Sequence, residues 1–171
     1  MIKKDQLFKV DFPFARDCFA CSASNPIGLK MQFFTDGQKF YNWHYVKNEH
    51  SGWGKIKHGG IAATILDELG GWCVICLRQG MCLTQNFAID YHKPIITQQT
   101  VLSSAEIFAG SSKKNIMVIG KMYNEANELC VSFNGQYRFL PIPLALKLKI
   151  ISVELAAAME KFFKNTNFKQ I

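Results

Sequence analysis

No stretch of this 171-residue chain carries the roughly 20 uninterrupted apolar residues that a bilayer-spanning helix requires. The opening Met1-Ile-Lys-Lys-Asp-Gln-Leu-Phe-Lys-Val lacks the apolar continuity of a secretory signal. Together these absences predict a cytoplasmic protein with no membrane insertion. Lysine and arginine outnumber the acids 20 to 13, for a net charge of +7. Yet no block of about five like charges forms. Lys3, Lys30, Lys57, Lys113 and Lys161 illustrate the scatter. Without a basic stripe or a recognition motif, no nucleic-acid partner is expected. A diffuse positive field serves solubility and favours a small polyanionic ligand, such as one bearing phosphates. Internal repeats and low-complexity tracts are also missing. What is present is 49% hydrophobic and includes 14 Phe, a globular composition. The length suits one domain, 1–171, which buries roughly 70% of its unfolded surface.

Six cysteines occur, and a cytoplasmic setting argues against disulfides. Two pairs, Cys18/Cys21 and Cys73/Cys76, have the C-x2-C spacing of zinc ligands. Cys73-Val-Ile-Cys76 falls in an apolar helical run, where thiols serve as packing groups. Cys18-Phe-Ala-Cys21 falls in a loop and is the better candidate. A four-cysteine site would need both, so neither a metal nor a cofactor is expected.

Residues 1–28 read as irregular, punctuated by Pro13, Pro26 and Gly28. Strand patterns follow at 29–34 and 40–46, joined by the hairpin signal Asp36-Gly37. A polar loop spans 48–57. Residues 59–77 are almost wholly apolar or small, long enough for a buried helix, with Gly80 ending it. Four strands follow at about 83–92, 99–108, 115–123 and 129–140, with short connections that imply antiparallel pairing. Residues 144–164 show the spacing of an amphipathic helix. The expected class is α+β: an antiparallel sheet of about six strands, core 29–140, wrapped around one long central helix, with an extra C-terminal helix. One sheet does not cover such a helix on all sides; a second subunit would complete its burial.

Asp67-Glu68 stands out, because two carboxylates interrupt an otherwise apolar helix. An ionised carboxylate there is costly unless it is paired, hydrogen-bonded or functional. The helical neighbours of Asp67 are Ala63, Thr64, Gly70 and Gly71, all small, which leaves room above it. Glu68 neighbours Ile65 and Trp72 and reads as structural. The helix opens with His58-Gly59-Gly60. Free N–H groups at a helix start bind anions or a developing oxyanion, and glycine admits a ligand close to the backbone. Asp67 lies eight residues beyond Gly59, about 12 Å along a helix axis. That is too far for both to act on one carbonyl within one subunit. Two helices antiparallel across a two-fold would bring one N-terminus to the other's Asp67, giving composite sites in a dimer or a tetramer built from it.

Three motifs carry a family resemblance. Cys18-Phe-Ala-Cys21 through Asn25-Pro26-Ile-Gly28-Leu29, His50-Ser-Gly52-Trp53 through His58-Gly59-Gly60 to Asp67, and Phe87-Ala-Ile-Asp-Tyr91-His-Lys-Pro94 are similar to segments of the phenylacetyl-CoA (PaaI-like) thioesterases of the hotdog superfamily. The resemblance covers residues 18–140. It implies a hotdog-fold homo-oligomer that hydrolyses an acyl-CoA thioester. It implies Asp67 as base or nucleophile, the Gly59 backbone N–H as oxyanion donor, and His58 as the residue ordering that loop. It also implies Thr84, on the next strand, as a hydroxyl assisting the acid, with Gly60, His50 and Trp53 at the substrate. Several members carry Asn or Gln six residues before the histidine, where this chain has Gly52; His50 is then the candidate for positioning water. Two rival readings are a hotdog hydratase or dehydratase, whose motif is missing, and a non-catalytic acyl-CoA-binding or scaffold protein. Thioester turnover separates the enzyme from the binder.

Overall fold

The computed structural model describes residues 2–12, 17–166 and 168. Pro13, read above as punctuation, lies outside them. Strands β1 (Phe8–Val10), β2 (Phe33–Thr35), β3 (Lys39–Val46), β6 (Met81–Tyr91), β7 (Gln99–Ile107), β8 (Asn115–Tyr123) and β9 (Leu129–Leu140) form one antiparallel sheet in the order β1-β2-β3-β7-β8-β9-β6. The helix α1 (Gly59–Arg78) packs across its concave face against β3, β6, β7, β8 and β9. A two-stranded hairpin, β4 (Ser51–Trp53) and β5 (Ile56–Lys57), precedes α1. Helices α2 (Ile142–Lys147) and α3 (Val153–Asn165) end the chain.

Alternation builds the core. Along β7, Val101, Ser103 and Ala105 face inward, and along β8, Ile116, Val118 and Met122 do. These meet Ile65, Leu66, Leu69, Cys73 and Cys76 of α1, all fully buried. The Asp36-Gly37 turn forms as expected: Asp36 Oδ1 accepts from the backbone N–H groups of Gln38 and Lys39 at 2.9 and 2.7 Å, and Gly37 takes φ 90°.

Four expectations need correction. Residues 1–28 are not wholly irregular, because Phe8–Val10 pairs with Phe33–Thr35; three residues are too few for alternation to show. The strand read at 29–34 is confined to Phe33–Thr35, since the amides of Leu29 and Met31 bond instead to the carbonyls of Phe19 and Ala20. The C-terminal helix is two: Lys149 turns left-handed at φ 56°, and Ser152 Oγ caps α3 by accepting from the Leu155 N–H at 3.2 Å. Finally, α1 at 20 residues is long and apolar enough to cross a bilayer, although sequence reading found no such run. Half of it is buried inside the fold, as a core helix is.

The end of α1 also differs in detail. Gln79, not Gly80, adopts the left-handed cap at φ 55°. A Cβ on Gly80 would lie 2.7 Å from the Phe139 ring and 2.9 Å from the Leu140 carbonyl, so that glycine serves close packing.

Along Ile61, Thr64 and Asp67, one face of α1 is only half-buried. Beside this face runs β6, the outermost strand, whose eleven residues are mostly exposed. On the other side, Trp72 of α1 stacks on Phe12 at 3.4 Å between ring centres, and Phe12 meets Phe162 of α3 at 5.4 Å.

Candidate active site

Asp67 is partly buried near the middle of α1 and carries two hydroxyl donors. Thr84 Oγ1 donates to its Oδ1 at 2.9 Å. Tyr137 Oη lies 3.1 Å from the Asp67 carbonyl and 3.3 Å from Oδ1. Thr84 and Tyr137 are direct cross-strand partners on β6 and β9, and the register shifts between Thr84 and Asn86. Such a bulge re-aims a side chain.

Tyr137 is the residue that sequence reading missed. It comes 70 positions after Asp67, and its signal lies in glycines. A Cβ on Gly135 would meet the Tyr137 ring at 2.6 Å, and a Cβ on Gly70 would collide with its hydroxyl. The open space read above Gly70 is therefore filled by Tyr137. Burial raises the Asp67 carboxyl above its ordinary value, the bonds from Thr84 and Tyr137 pull it back, and Glu68 raises it. Burial, reinforced by the Asp67 charge, holds the Tyr137 phenol far above its usual range, so it stays a donor.

Glu68, read from its neighbours as structural, is held from two sides: Oε1 accepts from Trp72 Nε1 at 2.8 Å and from the Cys18 thiol at 3.2 Å. Cys18, Cys21, Asp67, Glu68, Cys82 and Thr84 surround one cavity of about 180 Å³. A thiol hydrogen bond from Cys21 lowers Cys18 below the usual cysteine range, and the same bond raises Cys21. Cys73 and Cys76 are fully buried in the core, and the compact ligand group comprises Cys18, Cys21 and Glu68. The four-cysteine arrangement considered from spacing is thus not formed.

The helix start lies at a second cavity. His58 caps α1: its Nδ1 accepts from the Gly60 N–H at 2.9 Å. Gly59, the first helical residue, has no acceptor for its N–H among the described residues, as the first turn of any helix leaves it. Tyr91 Oη donates to the Gly59 carbonyl at 2.8 Å, and a Cβ on Gly59 would lie 3.1 Å from that hydroxyl. Gly59, Gly60, Lys57, Tyr91, His92 and Lys93 help line this cavity of about 400 Å³. Asp67 and Gly59 therefore open onto different cavities of one chain, as their spacing along the helix required.

Three named residues sit elsewhere. His50 lines neither cavity; its Nδ1 accepts from the Lys47 N–H at 3.2 Å and its ring stacks on His44 at 5.2 Å. Trp53, at the hairpin tip, is 86% exposed. Gly52 packs against His58, and a Cβ there would stand 3.3 Å from its Cα and Cδ2. Lys57 is buried instead of lying in a polar loop, with Nζ 3.2 Å from Met122 Sδ. Burial lowers its pKa to about 7.

No family model matches the sequence, and no curated protein matches it. Solved structures do. A thioesterase superfamily protein matches 72% of this chain and 60% of its own length at 18% identity, TM-score 0.65. The E. coli PaaI protein from the phenylacetic acid degradation operon matches over 66% of this chain and 80% of its own at 14% identity, TM-score 0.59. A hypothetical thioesterase protein from Streptococcus pneumoniae, solved with coenzyme A, matches over 61% and 82% at 16% identity, TM-score 0.57. That protein has also been solved as variants with an aspartate or a threonine replaced by alanine. At these identities the likeness is one of fold, and this chain has the hotdog fold that these thioesterase structures share.

Proposed function

We propose that the protein hydrolyses an acyl-CoA thioester, with Asp67 as the base in a site completed by a second copy. The observation that carries this reading is the Asp67 carboxylate held by Thr84 and Tyr137 at a cavity, on the uncovered face of α1. Coenzyme A in the S. pneumoniae thioesterase structure, and acetyl-CoA in a Streptococcus mutans structure at 14% identity and TM-score 0.60, support the ligand class.

Asp67 takes a proton from water, and the resulting hydroxide attacks the thioester carbon. The carbonyl oxygen becomes an oxyanion that accepts from the Gly59 N–H of the partner. A single such donor is worth about 2.7–4 kcal/mol in the transition state. The C–S bond then breaks, and the proton held by Asp67 passes to the departing CoA thiolate. The burial that raises the Asp67 pKa makes it a stronger base. The long unpaired edge of β6 and the bare face of α1 favour association through this side. His58 orders the helix start, and Gly60 leaves the approach to it open.

The direct test is free-thiol release from a panel of aromatic, short and long acyl-CoAs. No turnover of any member, with binding of a non-hydrolysable acyl-CoA intact, would leave the binder or scaffold reading. Gly52, which brings no side chain that could orient water, is the feature that favours that second reading.

The two hydroxyls make a further expectation. Both bonds favour the ionised form of Asp67, so removing either shifts its pKa upward. Thr84→Val and Tyr137→Phe should each move the acid limb of the pH–rate profile to higher pH, at a stability cost of about 1–2 kcal/mol. An acid limb that stays in place would show that the hydroxyls do not tune this carboxylate.

A further inference from the structure

The segment Cys18–Leu29 is a built loop for which the hydrolytic reading has no use. Its hydrogen bonds serve to hold one turn. Leu29 N–H donates to the Phe19 carbonyl and Met31 N–H to the Ala20 carbonyl, both at 2.9 Å. Asn25 Oδ1 accepts from the Ile27 N–H at 3.1 Å, while Asn25 Nδ2 reaches the Asp17 carbonyl at 3.4 Å. Gly28 passes so close that a Cβ would stand 2.7 Å from the Phe19 carbonyl oxygen. The Asn-Pro-x-Gly-Leu stretch therefore pins the Cys18–Cys21 turn, and it pins it against α1.

What this turn presents is a set of ligands. Cys18 Sγ, Cys21 Sγ and a Glu68 carboxylate oxygen all lie within 4.8 Å of one another. Ala20 N–H and Cys21 N–H both point at Cys18 Sγ, at 3.3 and 3.4 Å. Two amides donating to one sulfur stabilise a thiolate, the form that binds metal. Trp72 Nε1 donates to the Glu68 oxygen that also accepts from Cys18 and so fixes the carboxylate, as outer-shell donors orient metal-bound carboxylates. Neither Glu68 nor its neighbour Asp67 has a salt-bridge partner among the described residues. A cation here would meet uncompensated negative charge.

We propose that Cys18, Cys21 and Glu68 bind one Zn²⁺ ion, with its fourth position open to the cavity that Asp67 and Thr84 also line. Two thiolates and a carboxylate suit this borderline-soft ion better than they suit Mg²⁺ or Ca²⁺. Binding replaces the Cys18 proton now shared with Glu68, and both thiols release their protons to solvent. The ion would tie the N-terminal loop to α1 one residue from Asp67. The proposal departs from the sequence expectation of no metal, because its third ligand is a helix carboxylate, which cysteine spacing alone does not reveal.

The test is metal uptake by the reduced, metal-stripped full chain. Its readout does not involve hydrolysis, so it stands or falls apart from the thioesterase reading. Added Co²⁺ should bind one equivalent per chain with a thiolate-to-cobalt charge-transfer band, and Zn²⁺ should displace it. Cys18→Ser and Cys21→Ser should abolish the band, whereas Cys130→Ser should keep it. Glu68→Gln, which can retain the Trp72 bond, should weaken binding. Trp72→Phe should weaken it about 10–100-fold, the usual cost of losing an outer-shell donor. No band in the folded wild-type chain would overturn the proposal. So would a band that survives Cys18→Ser/Cys21→Ser, or a reduced chain that takes up no metal and in air only loses two hydrogens to a Cys18–Cys21 disulfide.

Discussion

Asp67→Asn should abolish most thioester hydrolysis, by about 10²–10⁴-fold in kcat/KM, while leaving the chain folded. Asparagine keeps an oxygen where Oδ1 stands, so the donors on Thr84 and Tyr137 retain their acceptor. Only the ability to take a proton is lost. The variant should also melt no lower than the wild type at pH 7. The sign follows from burial: the folded-state pKa of Asp67 lies above its ordinary value. The folded chain thus holds that proton more tightly than the unfolded chain. The ionised carboxylate costs stability once the pH rises above the ordinary carboxylate range, and the full cost is reached above the folded pKa. A neutral asparagine escapes it. Melting curves and kcat/KM on the best acyl-CoA, measured on one preparation, check both halves. Full activity in Asp67→Asn would remove this carboxylate from the mechanism.

Lys57→Met should stabilise the protein at pH 6 by about 2–4 kcal/mol and by almost nothing near pH 10.5. Lys57 is 6% exposed, and its amine meets a thioether, with no salt-bridge partner among the described residues. Desolvation lowers its pKa from 10.5 to about 7. The unfolded chain therefore keeps a proton that the folded chain surrenders between those values. Stability rises with pH across that window, and the cost of Lys57 is fully present below it. His44 lies on the same side of the fold, with Nε2 buried and unbonded, and its pKa is lowered to about 4 by burial. At pH 6 it is neutral and does not mask the effect. Methionine matches the lysine stem in length and can pack on Met122. Urea titrations at the two pH values measure the difference, and equal midpoints for both chains at pH 6 would refute it. Because Lys57 also lines the cavity at Gly59 and Gly60, the same variant reports whether the amine helps hold an anionic ligand there.

The parts of the fold legible in the sequence are those whose signal is local. The Asp36-Gly37 turn, the long apolar helix and the alternating strands after it each announce themselves within a short window. Asp67 stood out because a carboxylate amid small residues breaks a pattern, whereas Thr84 came only with the family resemblance, as a hydroxyl on the strand after that helix; the structure brings the two within hydrogen-bond distance. Tyr137 was not legible, since its role depends on register between β6 and β9 and on two glycines that clear its path. The break between α2 and α3 was hidden too: apolar spacing continues through 148–152 with no proline, and only a left-handed lysine and a serine cap divide it. The contact of Glu68 with Trp72, four residues on, follows from helical spacing, but its second partner, Cys18, lies 50 positions earlier. No spacing rule links a loop thiol to a helix carboxylate.

The bulge beside Thr84 has a bearing on solubility as well. A straight edge of eleven residues is a template on which any extended segment could build, at several offsets. The shift between Thr84 and Asn86 divides that edge into two halves that are out of step. An incoming strand must match both halves, so few offsets remain. The irregularity that aims a hydroxyl at Asp67 also discourages indiscriminate strand addition, and a change that straightened β6 would cost the Thr84 bond to Asp67 and resistance to aggregation together.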